Sequence, residues 1–294
     1  MKKILAAAMT CAALISGLTA AGAQSLDIMS QIGEIVEKSS NELAVQINLS
    51  GKQRMLTQKM SKESFLVALG IDPDANRANL KKTMALFDRT LKGLKNGDEG
   101  LKLAKAPNAK IAAQLDVVMK LWKTFQPLVA KVAAGSADAA TLTAIAKNNL
   151  PLLREMNKAV KMFEKAAGAD TGELAVVINL SGRQRMLTQK MTKEYLLIAL
   201  GIDPDANRAN LKKTMALFDR TLKGLLDGDP EQGLPGTKDE KIRAQLKKVM
   251  ALWANFAPLL KKPATPETLR AIAQDNLPLL AEMNRAVKMY EQSW

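Results

Sequence analysis

Arg54 sits among small and neutral polar residues, Ser50, Gly51, Thr57 and Gln58, and the same set returns 131 residues later as Ser181, Gly182, Arg185, Thr188 and Gln189. A guanidinium offers a planar fork of donors, which suits an oxyanion better than a metal or an acid–base step. Stepping about 100° per residue from Ile47 puts Ser50, Gly51, Arg54, Thr57, Gln58, Ser61 and Phe65 on one helix face. The opposite face carries a core stripe of Leu49, Leu56, Met60 and Val67. The polar face is too weakly charged for open solvent and too polar for a core, and Gly51 is small enough to admit a second helix. Two such faces meeting about a pseudo-two-fold axis would bring two guanidiniums together, and a bound anion would relieve their repulsion. A salt bridge from each arginine to a glutamate, or a place in solvent, is the plain alternative.

Other chemistries find little to work with. The 294 residues contain no histidine, and the only cysteine is Cys11. No nucleophile elbow, evident pair of catalytic carboxylates or glycine-rich phosphate loop is present, so neither an enzyme nor a cofactor is expected. Asp72-Pro73-Asp74-Ala75-Asn76 opens like a calcium loop, but Arg77 takes the glycine position and Thr83 the bidentate glutamate position. Asp72 is expected instead to cap a helix that starts at Pro73. The 15 methionines form no soft-ligand cluster, so no metal is expected. The formal charge of +14 is spread along polar helix faces without an aromatic pattern, which argues against nucleic acid. The plain reading is a solvated basic surface; the functional one is a field that concentrates small anions or draws the chain to acidic envelope surfaces.

The organisation is one unit written twice. Lys2 and Lys3, an apolar stretch from Ile4 to Leu18 and the small residues Ala21-Gly22-Ala23 read as a secretory signal peptide, residues 1–23, cleaved before Gln24. This predicts a periplasmic protein with no later membrane span. Residues 68–94 and 199–225 are identical, and the match continues more loosely to the end. The second copy is four residues shorter, a difference expected in the loop near Ala133–Ala140. The two units are assigned to residues 24–167 and 168–294, joined at Gly168–Gly172, whose conformation stays open.

Each unit reads as four helices. In the first they run from about Leu43 to Leu69 (extended back toward Leu26), from Pro73 to Asn96, from Pro107 to Val132, and from Ala137 to Ala166 with a bend at Pro151. Trp122 and Trp253 are expected in the cores. The fold class is all-α: two tandem up-down four-helix bundles related by duplication.

Ile47-Asn48-Leu49-Ser50-Gly51-Lys52-Gln53-Arg54-Met55-Leu56-Thr57-Gln58-Lys59-Met60 resembles the signature of the PilJ-type sensor domain of type IV pilus chemotaxis transducers. It is also similar to the P-box of NarX-type nitrate and nitrite sensor kinases. Residues 85–94 and 216–225 resemble the PilJ-type pattern as well. The resemblance implies a four-helix bundle working as a dimer, with a ligand between first helices held by one P-box arginine from each. Carried over, those arginines are Arg54 and Arg185, with Gly51 and Gly182 at the motif glycine. Ser50, Ser181, Thr57, Thr188, Gln58 and Gln189 complete the expected ligand set. The function implied is a periplasmic sensory protein that holds nitrate or nitrite between its repeats and signals to a membrane-bound receptor or transducer. Whether the repeats pair within one chain or between chains stays open. The alternative is a ligand-free module whose Gly/Ser/Arg face docks a transducer's own first helix.

Overall fold

The computed structural model describes residues 22–167 and 172–293, with side chains from residue 41 onward. The segment read as a signal peptide lies outside the described residues up to residue 21, and so does the junction over 168–171. Among the described residues the fold is all-α, two tandem four-helix bundles related by duplication. Copy one comprises α1 (Gly22–Ala68), α2 (Pro73–Asn96), α3 (Ala109–Ala133) and α4 (Ala139–Ala166). Copy two comprises α5 (Gly172–Ala199), α6 (Pro204–Asp227), α7 (Glu240–Leu259) and α8 (Pro266–Gln292). Within each copy consecutive helices pack side by side and the fourth returns against the first. The most extensive helix–helix contact in the molecule is between α1 and α5, so the copies meet along their first helices.

Local chemistry sets the helix ends. Gly70 takes a left-handed conformation (φ 70°), and the Ile71 N–H bonds back to the Leu66 carbonyl at 3.0 Å, closing the last turn of α1. Asn108 and Asp138 cap α3 and α4 through their side chains, accepting from the N–H groups of Ile111 and Thr141. Asp72 departs from expectation. It precedes Pro73 as anticipated, but it sits at φ 41° and its carboxylate caps nothing. The Asn76 amide instead fastens the helix start to the preceding turn, donating to the carbonyls of Ile71 at 2.8 Å and Asp72 at 3.2 Å.

The four-residue deletion also falls elsewhere than expected. Helix α3 has 25 residues and α7 has 20, so the shortening removes the last turn of a helix rather than loop. Val132 and Ala133 end α3 inside the first core, whereas residues 261–267 of copy two are exposed. Tyr195, standing where copy one has Ser64, partly fills the space and donates from its hydroxyl to the Lys262 carbonyl at 2.9 Å.

Each core is lined by an aromatic cluster. Trp122 is buried against Phe87 with ring centroids 4.7 Å apart, and Trp253 repeats this against Phe218 at 4.7 Å. The first helices differ from the others. Between Ala44 and Val67 only Val45, Leu49, Lys52 and Lys59 retain partial exposure. A helix packed on its second, fourth and sister first helices has no solvent face. The polar face opposite the core stripe is therefore buried too.

Candidate functional site

The face that carries Ser50, Gly51 and Arg54 is covered by the equivalent face of α5. Gly51 and Gly182 make this approach possible. A Cβ placed on Gly51 would lie 3.4 Å from Arg54 Nη2 and 3.7 Å from Arg185 Nη2, and one on Gly182 would lie 3.3 Å and 3.7 Å from the same pair. Both guanidiniums thus converge on the two glycines at the seam. Arg54 and Arg185 are each 1% exposed, the bulkiest fully buried side chains described.

Neither arginine has a carboxylate partner within ion-pair distance among the described residues. Their partners are neutral. Arg54 donates from Nη1 to Asn157 Oδ1 at 2.8 Å and from Nη2 to the Asn179 carbonyl at 3.0 Å. Arg185 donates from Nη1 to Asn284 Oδ1 at 3.0 Å and from Nη2 to the carbonyl of Asn48 at 3.1 Å and its Oδ1 at 2.7 Å. Each guanidinium therefore reaches across the seam to the opposite first helix. The Nε atom of each is buried without a partner.

Two cations buried without a counter-ion are unfavourable, and their proton affinities show it. Burial, then the positive charges of Arg183 and Arg185, pull Arg54 down to about 9 against an opposing pull from Glu164. Burial pulls Arg185 down to about 10, offset by Glu291. An anion at the seam would relieve both and meet donors already in place.

The remaining expected ligand residues occupy other positions. The hydroxyls of Ser50 and Ser181 donate to the carbonyls of Ile47 and Ile178 in their own helices. Those of Thr57 and Thr188 donate to the carbonyls of Arg54 and Arg185 at 2.8 Å. Gln58 turns toward Asn149 and Gln189 toward Asn276, at 2.9 and 2.8 Å, forming a layer one turn beyond the arginines. The structure gathers the four Arg and Gly positions at one point, and the Ser, Thr and Gln side chains buttress them from the helix.

Sequence reasoning missed Asn48, Asn179, Asn157 and Asn284, which hold the guanidiniums. It also missed a second buried cation layer, roughly 12 Å further along the helices at 1.5 Å per residue. Lys62 of α1 crosses to Asn276 Oδ1 of copy two at 2.9 Å, and Lys193 of α5 crosses to Asn149 Oδ1 of copy one at 3.0 Å. Burial pulls both ammonium groups down to about 8. The signal for the asparagines was repetition: each stands at the same place in both copies, inside a helix, where a polar amide otherwise gains nothing.

Comparison with known proteins agrees with the resemblance read from the first helix. The profile of the PilJ family, described as the type IV pili methyl-accepting chemotaxis transducer N-terminal domain, matches residues 35–147 and again 171–276. A methyl-accepting chemotaxis protein of Pseudomonas aeruginosa, McpN, is 35% identical over 116 residues, 38% of this chain and 21% of its own length. The PilJ protein of the same organism is 24% identical over 261 residues, 86% of this chain and 37% of its own length. The chain thus spans well under half the length of either relative. A solved structure, the ligand-binding domain of the P. aeruginosa nitrate receptor McpN, aligns at 31% identity and a TM-score of 0.37, over 42% of this chain and 97% of that one. With the profile covering most of its length in two successive matches, the chain belongs to the PilJ family of chemotaxis-transducer N-terminal domains.

Proposed function

We propose that this chain is a periplasmic sensory protein that binds one small oxyanion, nitrate or nitrite, between Arg54 and Arg185. The observation that carries the reading is the pair of buried guanidiniums, without a carboxylate partner, converging on Gly51 and Gly182. The relative McpN, similar in sequence to part of this chain, bears the name of a nitrate receptor, which favours nitrate within the class. Two copies in one chain supply the two arginines that the resemblance implies from two subunits, so a monomer suffices. None of the described helices is long and apolar enough to cross a membrane. As the resemblance implies, the bound state would be passed to a membrane-bound receptor or transducer.

The docking alternative places a receptor's first helix on the Gly/Ser/Arg face. That face is already covered by the sister helix, and the seam would have to open to admit another.

Calorimetric titration of the chain from Gln24 onward with nitrate and nitrite, against chloride and sulfate, tests the proposal. One saturable site per chain is expected for a nitrogen oxyanion. Arg54→Ala with Arg185→Ala should lower the affinity at least 100-fold, of the order expected when both charge-assisted contacts are lost. The circular dichroism spectrum should stay helical. Unchanged affinity in that variant would sink the proposal.

A further inference from the structure

The two ends of the arginine pair are not equivalent. On the Arg185 side, Asn48 is fully engaged: its carbonyl and Oδ1 both accept from Arg185 Nη2, and its amide donates to Glu291. On the Arg54 side, Asn179 donates to Glu164, but only its carbonyl accepts from Arg54 and its Oδ1 is buried without a partner. Arg54 therefore makes two hydrogen bonds where Arg185 makes three, and it is the guanidinium with capacity to spare.

The same side is open. A cleft of about 580 Å³ between α4 and α5 reaches down to Arg54. Arg154 and Lys161 stand exposed at its rim, and Arg183 is half-buried on its wall beside Glu164. The Arg183 Nη2 is steadied by Gln232 Oε1 at 2.9 Å and Thr221 Oγ1 at 3.3 Å, while its Nε is buried and unpartnered. Neither Arg154 nor Arg183 has an ion-pair partner among the described residues.

Duplication supplies the control. Lys161 and Glu164 recur as Lys288 and Glu291, but Arg183 is replaced by Lys52, Arg154 by Ala281 and the supporting Gln232 by Leu101. The arginine and the glutamine that holds it differ together between the copies. Both sides thus grade from an exposed lysine through a half-buried cation to a buried arginine, but the Arg54 side adds Arg154, has the forked donors of Arg183 in place of Lys52, and ends at the under-satisfied Arg54.

Resting on the reading of the seam as an oxyanion site, we propose that it is loaded from one side only. Arg183, with Arg154 and Lys161, forms an entry subsite that delivers the anion to Arg54, while Arg185, held by three hydrogen bonds, is the fixed anchor on the opposite side. A cleft in which cations outnumber the single carboxylate, Glu164, raises the local concentration of an anion and makes its binding sensitive to ionic strength. Forked donors on Arg183 would also grip an oxyanion on its way in, which a lysine in that place does less well.

The test is nitrate titration of the chain from Gln24 onward carrying Arg154→Ala with Arg183→Lys. This variant gives the open side the residues that the other side already tolerates in the same fold. Affinity is expected to fall about 10-fold, the lower end of such electrostatic focusing, with a shallower dependence on ionic strength. Lys52→Ala with Lys288→Ala, on the Arg185 side, should leave affinity within about twofold. Unchanged affinity in the first variant, or an equal loss in the second, overturns one-sided loading. If Arg54→Ala with Arg185→Ala still abolishes binding in that case, the seam site stands without it. Absence of nitrate binding by the unaltered chain removes both.

Discussion

The seam between the first helices buries two pairs of cations, and it treats them in opposite ways. In the arginine layer, two glycines face each other, the guanidiniums crowd together, and the Nε of each has no partner. The lysine layer has no facing glycines, although Gln58 Oε1 and Gln189 Oε1 are buried there without a partner. Each ammonium meets the Oδ1 of an asparagine that also accepts from Gln58 or Gln189 and donates its amide to the Thr57 or Thr188 carbonyl. Both layers cross between copies and both are desolvated. One is tied by asparagines shared between the copies, and the other faces two glycines and leaves the guanidinium Nε atoms without a partner. The glycines beside the guanidiniums separate a site from a bolt, because they leave the space in which a ligand could meet the unspent donors.

The largest effect should come from breaking the bolt. Replacing Asn149 and Asn276 by alanine removes the acceptor of each buried ammonium and the partner of each glutamine at once. A buried charge left without its acceptor costs about 3 kcal/mol, so the double variant should lose on the order of 5 kcal/mol in urea unfolding. Nitrate affinity, measured where the protein is still folded, should stay within about twofold. A loss of affinity comparable to that of the arginine variant would show the lysine layer to be part of the site, and the contrast would fail.

A second, smaller effect separates the charge of the bolt from its shape. Burial holds Lys62 and Lys193 at about 8, below the roughly 10.4 of an unfolded lysine. Between those values the unfolded chain binds more protons than the folded one, so stability gains from these groups as pH rises from about 8 to about 10. At pH 7 both are charged and their desolvation cost is borne in full. Lys62→Met with Lys193→Met should therefore be about 2 kcal/mol more stable than the unaltered chain at pH 7. The gap should narrow by pH 9.5 in urea titrations at the two pH values. A variant less stable at pH 7 would mean that the asparagines hold the ammonium groups more tightly than burial penalises them.

How far the sequence reached follows from the same seam. The helices, the duplication and the Arg–Gly face could be read because periodicity and repetition are properties of one chain segment. What could not be read depends on the second copy. Lys62 and Lys193 look like solvent residues because lysine is almost never fully buried, and only the crossing of α1 and α5 buries them. The helix wheel predicted a core stripe of Leu49, Leu56, Met60 and Val67, yet Leu49 retains partial exposure while Arg54 does not. A wheel knows one partner, and this helix has three. Asp72 escaped for a local reason. Its type and place suit an N-cap, but the closing turn at Gly70 and Ile71 delivers the chain to it in the left-handed region, from which its carboxylate makes no capping bond.

The smallest change sharpens the contrast from the arginine side. Gly51→Ala with Gly182→Ala adds one methyl to each helix at the point where the guanidiniums meet. Each new Cβ would lie 3.3 to 3.4 Å from the near Nη2, tight enough to displace it slightly but facing the end of a flexible side chain. Alanine is the better helix former by up to about 1 kcal/mol per site, so stability should hold or rise. The methyls take the space in which an anion would touch both arginines. Nitrate affinity should fall about 10-fold, equivalent to about 1.4 kcal/mol. Stability rising while affinity falls is the signature of glycines kept for the ligand. If stability drops with affinity unchanged, the glycines serve close helix packing alone, and the room at the arginine layer belongs to the fold.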